Sequence, residues 1–93
     1  MLAVLHNNRS LYNSEEHGIQ IAQYRERPVE NAPIGTAITD PNVDFATLAR
    51  AFSVHGEGPI TDLKDLRPAL ERALRVVKER GETALVDVVC EAR

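Results

Sequence analysis

Apolar residues fall in short groups along this chain, and their spacing changes from one group to the next. Leu2-Ala3-Val4-Leu5 is a continuous apolar run that leads through His6 into Asn7-Asn8 and, after Arg9, Ser10. Four residues are too few for periodicity to separate strand from helix. Asparagine and serine side chains bond readily to nearby backbone, which favours a strand ending in a turn. Asn13-Ser14-Glu15-Glu16 then reads as a helix start, with a polar residue to cap it and acids at its amino end. Ile19, Ala22 and Gln23 carry that helix to about Tyr24, and Gly18 weakens it.

The segment 25–41 is different in kind. It holds Pro28, Pro33, Pro41 and Gly35 among scattered apolar residues, and it reads as a long ordered loop that Ile34, Ala37 and Ile38 could tether. Asn42 or Asp44 can cap the next helix, which carries Phe45, Leu48, Ala49 and Phe52 at spacings of three and four and ends near Ser53. Val54 to Ile60 leaves room for only a short strand. Its Gly56-Glu57-Gly58 stretch lacks a phosphate-loop lysine and does not lead a helix, so it reads as a turn.

The clearest helix follows. Leu63, Leu66, Leu70, Ala73, Leu74 and Val77 form one stripe, with Asp62 and Asp65 at its start, Lys78 and Arg80 at its end, and Gly81 placed to stop it. Pro68 requires a first turn beginning around Asp62 or a restart capped by Asp65. Thr83 to Cys90 is nearly continuous and rich in valine, the pattern of a strand buried on both faces. Helix, turn, buried strand is α/β grammar, and it predicts part of a three-layer parallel sheet flanked by helices.

Composition narrows the function classes. A chain of 93 residues is at most one domain, and 43% hydrophobic with 27% charged residues suits a globular protein. The net charge of -3, with signs interspersed, excludes a broad nucleic-acid footprint. One cysteine, Cys90, excludes an internal disulfide framework and reads as a buried inert thiol. No run has membrane-spanning length, and Met1 to Leu5 lacks the features of a signal peptide. The default is a soluble cytoplasmic protein. Because the first strand starts at Met1, the expectation is the back portion of a larger domain, with the other strands and the rest of any ligand site elsewhere.

Few residues offer chemistry. His6, His17 and His55 lack the spacing of a zinc site. His6 could touch a ligand or be an edge histidine. His17 would need a substrate within hydrogen-bond reach to act as a base, and surface or packing roles are preferred. Glu15-Glu16 reads as a solvated helix start. Asn7-Asn8 differs, because amides at a strand end can serve a hard cation or a diphosphate. An Asx-turn accounts for the pair equally well.

The stretch Leu2-Ala3-Val4-Leu5-His6-Asn7-Asn8-Arg9-Ser10-Leu11-Tyr12 resembles the second half of the thiamine diphosphate-binding motif of the acetolactate synthase, benzoylformate decarboxylase and pyruvate decarboxylase superfamily. That motif opens with Gly-Asp-Gly and closes with an apolar strand ending in Asn-Asn. The helix from Val43 to Phe52, the weak strand to Ile60, the helix from Asp62 and the strand Thr83–Val89 are similar in order to the family's closing segment. The resemblance implies that Asn8 binds Mg2+ through its side-chain oxygen and that Ser10 gives the same ion a backbone carbonyl. It implies that Asn7 supports the turn, and that Tyr12 lies beside the diphosphate. It also implies thiamine diphosphate chemistry on a 2-oxoacid, decarboxylation or carboligation, in a parent that is a homo-oligomer.

The departures are large. Gly-Asp-Gly is absent, and so is the pyrimidine-binding domain with its activating glutamate, which a partner subunit contributes in the family. An amide and a carbonyl fall short of the six oxygens Mg2+ requires. The chain alone is therefore expected to be inactive, a partial domain over residues 1–93 that needs its missing N-terminal portion or a complementary subunit. The alternatives are a small non-catalytic α/β interaction or subunit domain, and an unrelated α/β binder.

Overall fold

In the computed structural model, which describes residues 1–91, six elements follow in order. They are β1 (Leu2–Asn7), α1 (Tyr12–Tyr24), α2 (Phe45–Ala51), β2 (His55–Ile60), α3 (Leu63–Arg80) and β3 (Ala84–Val89). The chain divides into two compact units, one of Met1–Asn7 with Asp44–Cys90, the other of Asn8–Val43 with Glu91.

The first unit is a three-stranded sheet in the order β1-β3-β2, parallel throughout. The valine-rich run is its central strand. Alternation along β3 sends Ala84, Val86 and Val88 to one face and Leu85 and Asp87 to the other. The first set forms the core with Ala69 and Ala73 of α3, joined by Leu2, Ile60, Leu70 and Val77. On the second face Gly56 stands beside Leu85, and a Cβ there would run into the Ala46 carbonyl of α2. The two helices thus cover opposite faces, the α/β layering that the sequence predicts.

Several local expectations are corrected. Gly56-Glu57-Gly58 is not a turn but lies within β2, because the missing side chain at Gly56 lets α2 press onto the strand. For the same reason α2 buries its small residues Ala46 and Ala49, leaving Leu48 half-exposed and Phe52 largely exposed. On α3 the buried positions are Ala69 and Ala73, and Leu63 of the expected stripe faces solvent. Asp62 caps α3 through the Lys64 N–H, the helix runs unbroken through Pro68, and Gly81 ends it in the left-handed conformation. Asp44, not Asn42, caps α2. Its carboxylate accepts from the Thr47 N–H at 3.0 Å and the Thr47 hydroxyl at 2.8 Å, which hold its pKa below the usual carboxylate range.

A polar clasp joins α3 to the outer strand β2. Arg72 donates to Glu57 through Nε at 2.9 Å and Nη2 at 3.2 Å, and His55 Nε2 lies 3.3 Å from the same carboxylate. The guanidinium, against the opposing effect of burial and with help from His55, lowers the Glu57 pKa below its ordinary value of 4.5. A carboxylate with a depressed folded pKa adds stability that is present above its unfolded pKa and is lost as pH falls through the folded one. Urea midpoints of wild type and Glu57→Gln should therefore differ by a constant amount above pH 6 and converge as the solution is acidified below 4.5. A difference that stays constant as the solution is acidified through the carboxylate range would contradict the clasp.

Candidate functional site

Ligands of open parallel sheets bind at the carboxyl ends of the strands, so the chemistry there matters most. β1 ends at Asn7, level with Val89 of β3, and the Asn7 carbonyl accepts from the Cys90 N–H at 2.8 Å. The Asn7 carboxamide donates through Nδ2 to Oδ1 of Asp87 at 3.0 Å, and both side chains are buried. Asp87 is wholly inaccessible, and its Oδ2 has no hydrogen-bond partner among the described residues.

The strand on the other side of Asp87 explains that orphaned oxygen. Glu57 pairs with Val86 and Ile60 with Val88, so Gly58 and Pro59 together stand opposite the single residue Asp87. This is a β-bulge. Gly58 has no side chain and Pro59 no N–H, so neither the Gly58 side chain nor the Pro59 main chain can donate to the carboxylate. A Cβ on Gly58, where φ is +130°, would lie 3.0 Å from the Asp87 Cβ. Leaving a buried acceptor unpaired costs about 1–3 kcal/mol. The signal in the sequence is an aspartate interrupting an apolar run, residues 83–90, patterned for burial on both faces.

The second unit carries the residues that follow. Asn8 Oδ1 accepts from the Ser10 N–H at 3.2 Å, an Asx-turn in which Arg9 takes the left-handed conformation at φ +54°. Ser10 forms an antiparallel bridge with Ala37. The bonds on either side of it run from the Ile38 N–H to the Arg9 carbonyl and from the Leu11 N–H to the Thr36 carbonyl, both 2.7 Å. In such a ladder the flanking residues make the bonds, so the peptide groups of Ser10 itself point away from the 36–38 segment. The Ser10 N–H does so towards the Asn8 oxygen. The Ser10 hydroxyl donates to Glu15 at 3.3 Å, which ties the turn to α1, and the Thr36 hydroxyl donates to the Ala32 carbonyl at 3.0 Å. That tie places the helix start at Tyr12 after an uncapped Leu11, ahead of the polar cap expected at Asn13 or Ser14.

Asn8 and Ser10 are thus joined by a hydrogen bond, and half-buried Tyr12 opens the helix after them. Asn7 belongs to the sheet. His6 and His17 are exposed, and His55 belongs to the Glu57 clasp. Cys90 is half-buried, its thiol 3.5 Å from the Val88 carbonyl. Among the described residues no three His, Cys, Asp or Glu side chains gather to hold a metal, and no helix is long and apolar enough to cross a membrane.

Comparison with protein families supplies the deciding observation. The model of the thiamine pyrophosphate enzyme C-terminal TPP binding domain matches residues 1–88. The chain belongs to that family. Comparison with curated proteins and with solved structures returned no match. The TPP-binding family accounts for the parallel sheet and its flanking helices, and its ligand is a diphosphate. Amides and carbonyls at strand ends are therefore more pertinent here than histidine or cysteine clusters.

Within this TPP-binding domain the Asn7–Asp87 bond has a measurable weight. Asn7→Val removes the donor to a wholly buried acceptor and should lower stability by about 1–3 kcal/mol, the cost of leaving such a group unpaired. Urea unfolding at neutral pH measures it. An unchanged midpoint would contradict the bond.

Proposed function

We propose that this domain supplies one side of a Mg2+–diphosphate site for thiamine diphosphate, in an enzyme that decarboxylates or carboligates 2-oxoacids. Asn8 would give the ion its side-chain oxygen and Ser10 its backbone carbonyl, with Asn7 and Tyr12 beside the diphosphate. The observation that carries this is the Asn8–Ser10 turn in a chain of the TPP-binding family. Left-handed Arg9 lets the turn close, and the bridge to Ala37 directs the peptide groups of Ser10 off the neighbouring segment. The donor chemistry fits a hard cation in kind and falls short in number. When bound, the cofactor would supply a nucleophilic carbon and an electron sink for the 2-oxoacid, and the residues of this chain would bind and orient it.

An aspartate such as that of Gly-Asp-Gly, absent from this sequence, completes the set in this proposal, together with a pyrimidine-binding domain. Residues 1–93 then act as one partial domain, with the segment 25–41 as its long loop, in a soluble cytoplasmic assembly of like subunits. A non-catalytic interaction or subunit domain is the second reading. It is supported by an open apolar groove of about 320 Å3 lined by Met1, Ala3, Phe45, Leu48, Phe52 and Leu85, among others.

Isothermal titration separates the readings. With Mg2+ present, the chain alone should bind thiamine diphosphate no more tightly than about millimolar, for lack of oxygen ligands. Joined to a polypeptide carrying Gly-Asp-Gly and the pyrimidine domain, it should gain affinity, and Asn8→Ala should remove about tenfold or more of that gain. Micromolar binding by the chain alone, or a gain indifferent to Asn8→Ala, would overturn the proposal.

A further inference from the structure

Asp87 brings a buried carboxyl group into an otherwise apolar strand, with one oxygen left without a partner among the described residues. A valine there would continue the run, fill the same space and leave no orphaned oxygen. Local rules of packing and polar satisfaction are broken chiefly where a site requires it. Among the described residues the Asp87 side chain accepts one bond, at Oδ1 from the Nδ2 of Asn7. The carboxamide is planar, so drawing Nδ2 towards Asp87 turns the Asn7 Oδ1 to the opposite side and selects one of its two orientations. The Asn7 main chain is fixed separately, by the Cys90 N–H on its carbonyl. The bulge at Gly58-Pro59 closes the other side of Asp87 without supplying a side chain or a Pro59 N–H as a competing donor.

We propose that Asp87 is a positioning residue whose buried carboxylate fixes the carboxamide of Asn7 in the orientation that the diphosphate end of the cofactor meets. This rests on the reading of Asn7 as a residue beside the diphosphate. Asp87 itself touches no ligand and acts through Asn7 alone. The chemistry required at position 87 is an acceptor of side-chain length, which asparagine retains and valine lacks.

The side-chain amide signals of the full chain, followed by NMR in water, test this. In the ligand-free wild type the Asn7 NH2 protons should exchange about tenfold or more slowly than those of exposed Asn13 and Asn31, as a buried bonded amide does. Asp87→Asn should keep that protection, and Asp87→Val should lose it. Fast exchange at Asn7 in the wild type, loss of protection in folded Asp87→Asn, or full protection in Asp87→Val would each overturn the hold of Asp87 on Asn7. The first two outcomes remain decisive if the valine variant does not fold. With the chain joined to a polypeptide carrying Gly-Asp-Gly and the pyrimidine domain, millimolar Mg2+ with thiamine diphosphate should then shift the Asn7 signals in the wild type and in Asp87→Asn. A protected Asn7 that does not shift in the wild type would instead overturn the cofactor reading, and with it the purpose assigned to the bond.

Discussion

Parallel pairing of β3 on both of its edges is the constraint from which the rest of the sheet unit follows. A strand bonded to β1 on one side and β2 on the other has no solvent-facing edge, and helices on both faces leave it no solvent-facing side. Its sequence, Ala-Leu-Val-Asp-Val-Val, is accordingly apolar at every position but one. That position must find its partner within the sheet. Asp87 finds one in Asn7, at the carboxyl end of the neighbouring strand, and the bulge on its other side leaves the second oxygen unmatched. The side chain that leaves one oxygen unpaired in the core ties it to the end of β1 through the other.

The small residues around this strand follow from the same constraint. Helices that pack closely on both faces need short side chains at the contact, and α3 brings Ala69 and Ala73 while α2 brings Ala46 and Ala49. Gly56 removes the last obstruction beneath α2. Leu48 of α2 and Phe52 just after it are turned outward as a consequence. Small residues at the contact bring the layers together, and large apolar residues remain on the surface.

Element identity was legible because it depends on local signals. Asp62 and Gly81 bound α3 in the structure as their capping chemistry predicts, and the valine-rich run is a strand. The inward faces were less legible. Counting Leu63 and Phe52 as core assumes that size decides burial, whereas the close approach of the layers selected alanine. Gly56-Glu57-Gly58 resembled a turn because the reason for its glycines, a helix lying across them, is a tertiary fact. At the candidate site the Asx-turn of Asn8 was one of two readings open from sequence, and its bond to the Ser10 N–H is present. The two are compatible, since an amide oxygen has two lone pairs. Asp87 was missed because its importance lies in a partner 80 residues away.

Membership of the TPP-binding family gives these features a common context. The central claim is that the turn after β1 faces the metal–diphosphate end of that cofactor. Mn2+ in place of Mg2+, added with thiamine diphosphate to the labelled chain joined to a polypeptide carrying Gly-Asp-Gly and the pyrimidine domain, tests it most directly, since a paramagnetic ion broadens the signals nearest to it. The account predicts that the amide signals of Asn8 to Ser10 broaden first. Broadening centred on the Glu57 clasp or on Asp62 and Asp65, with the turn unaffected, would contradict it.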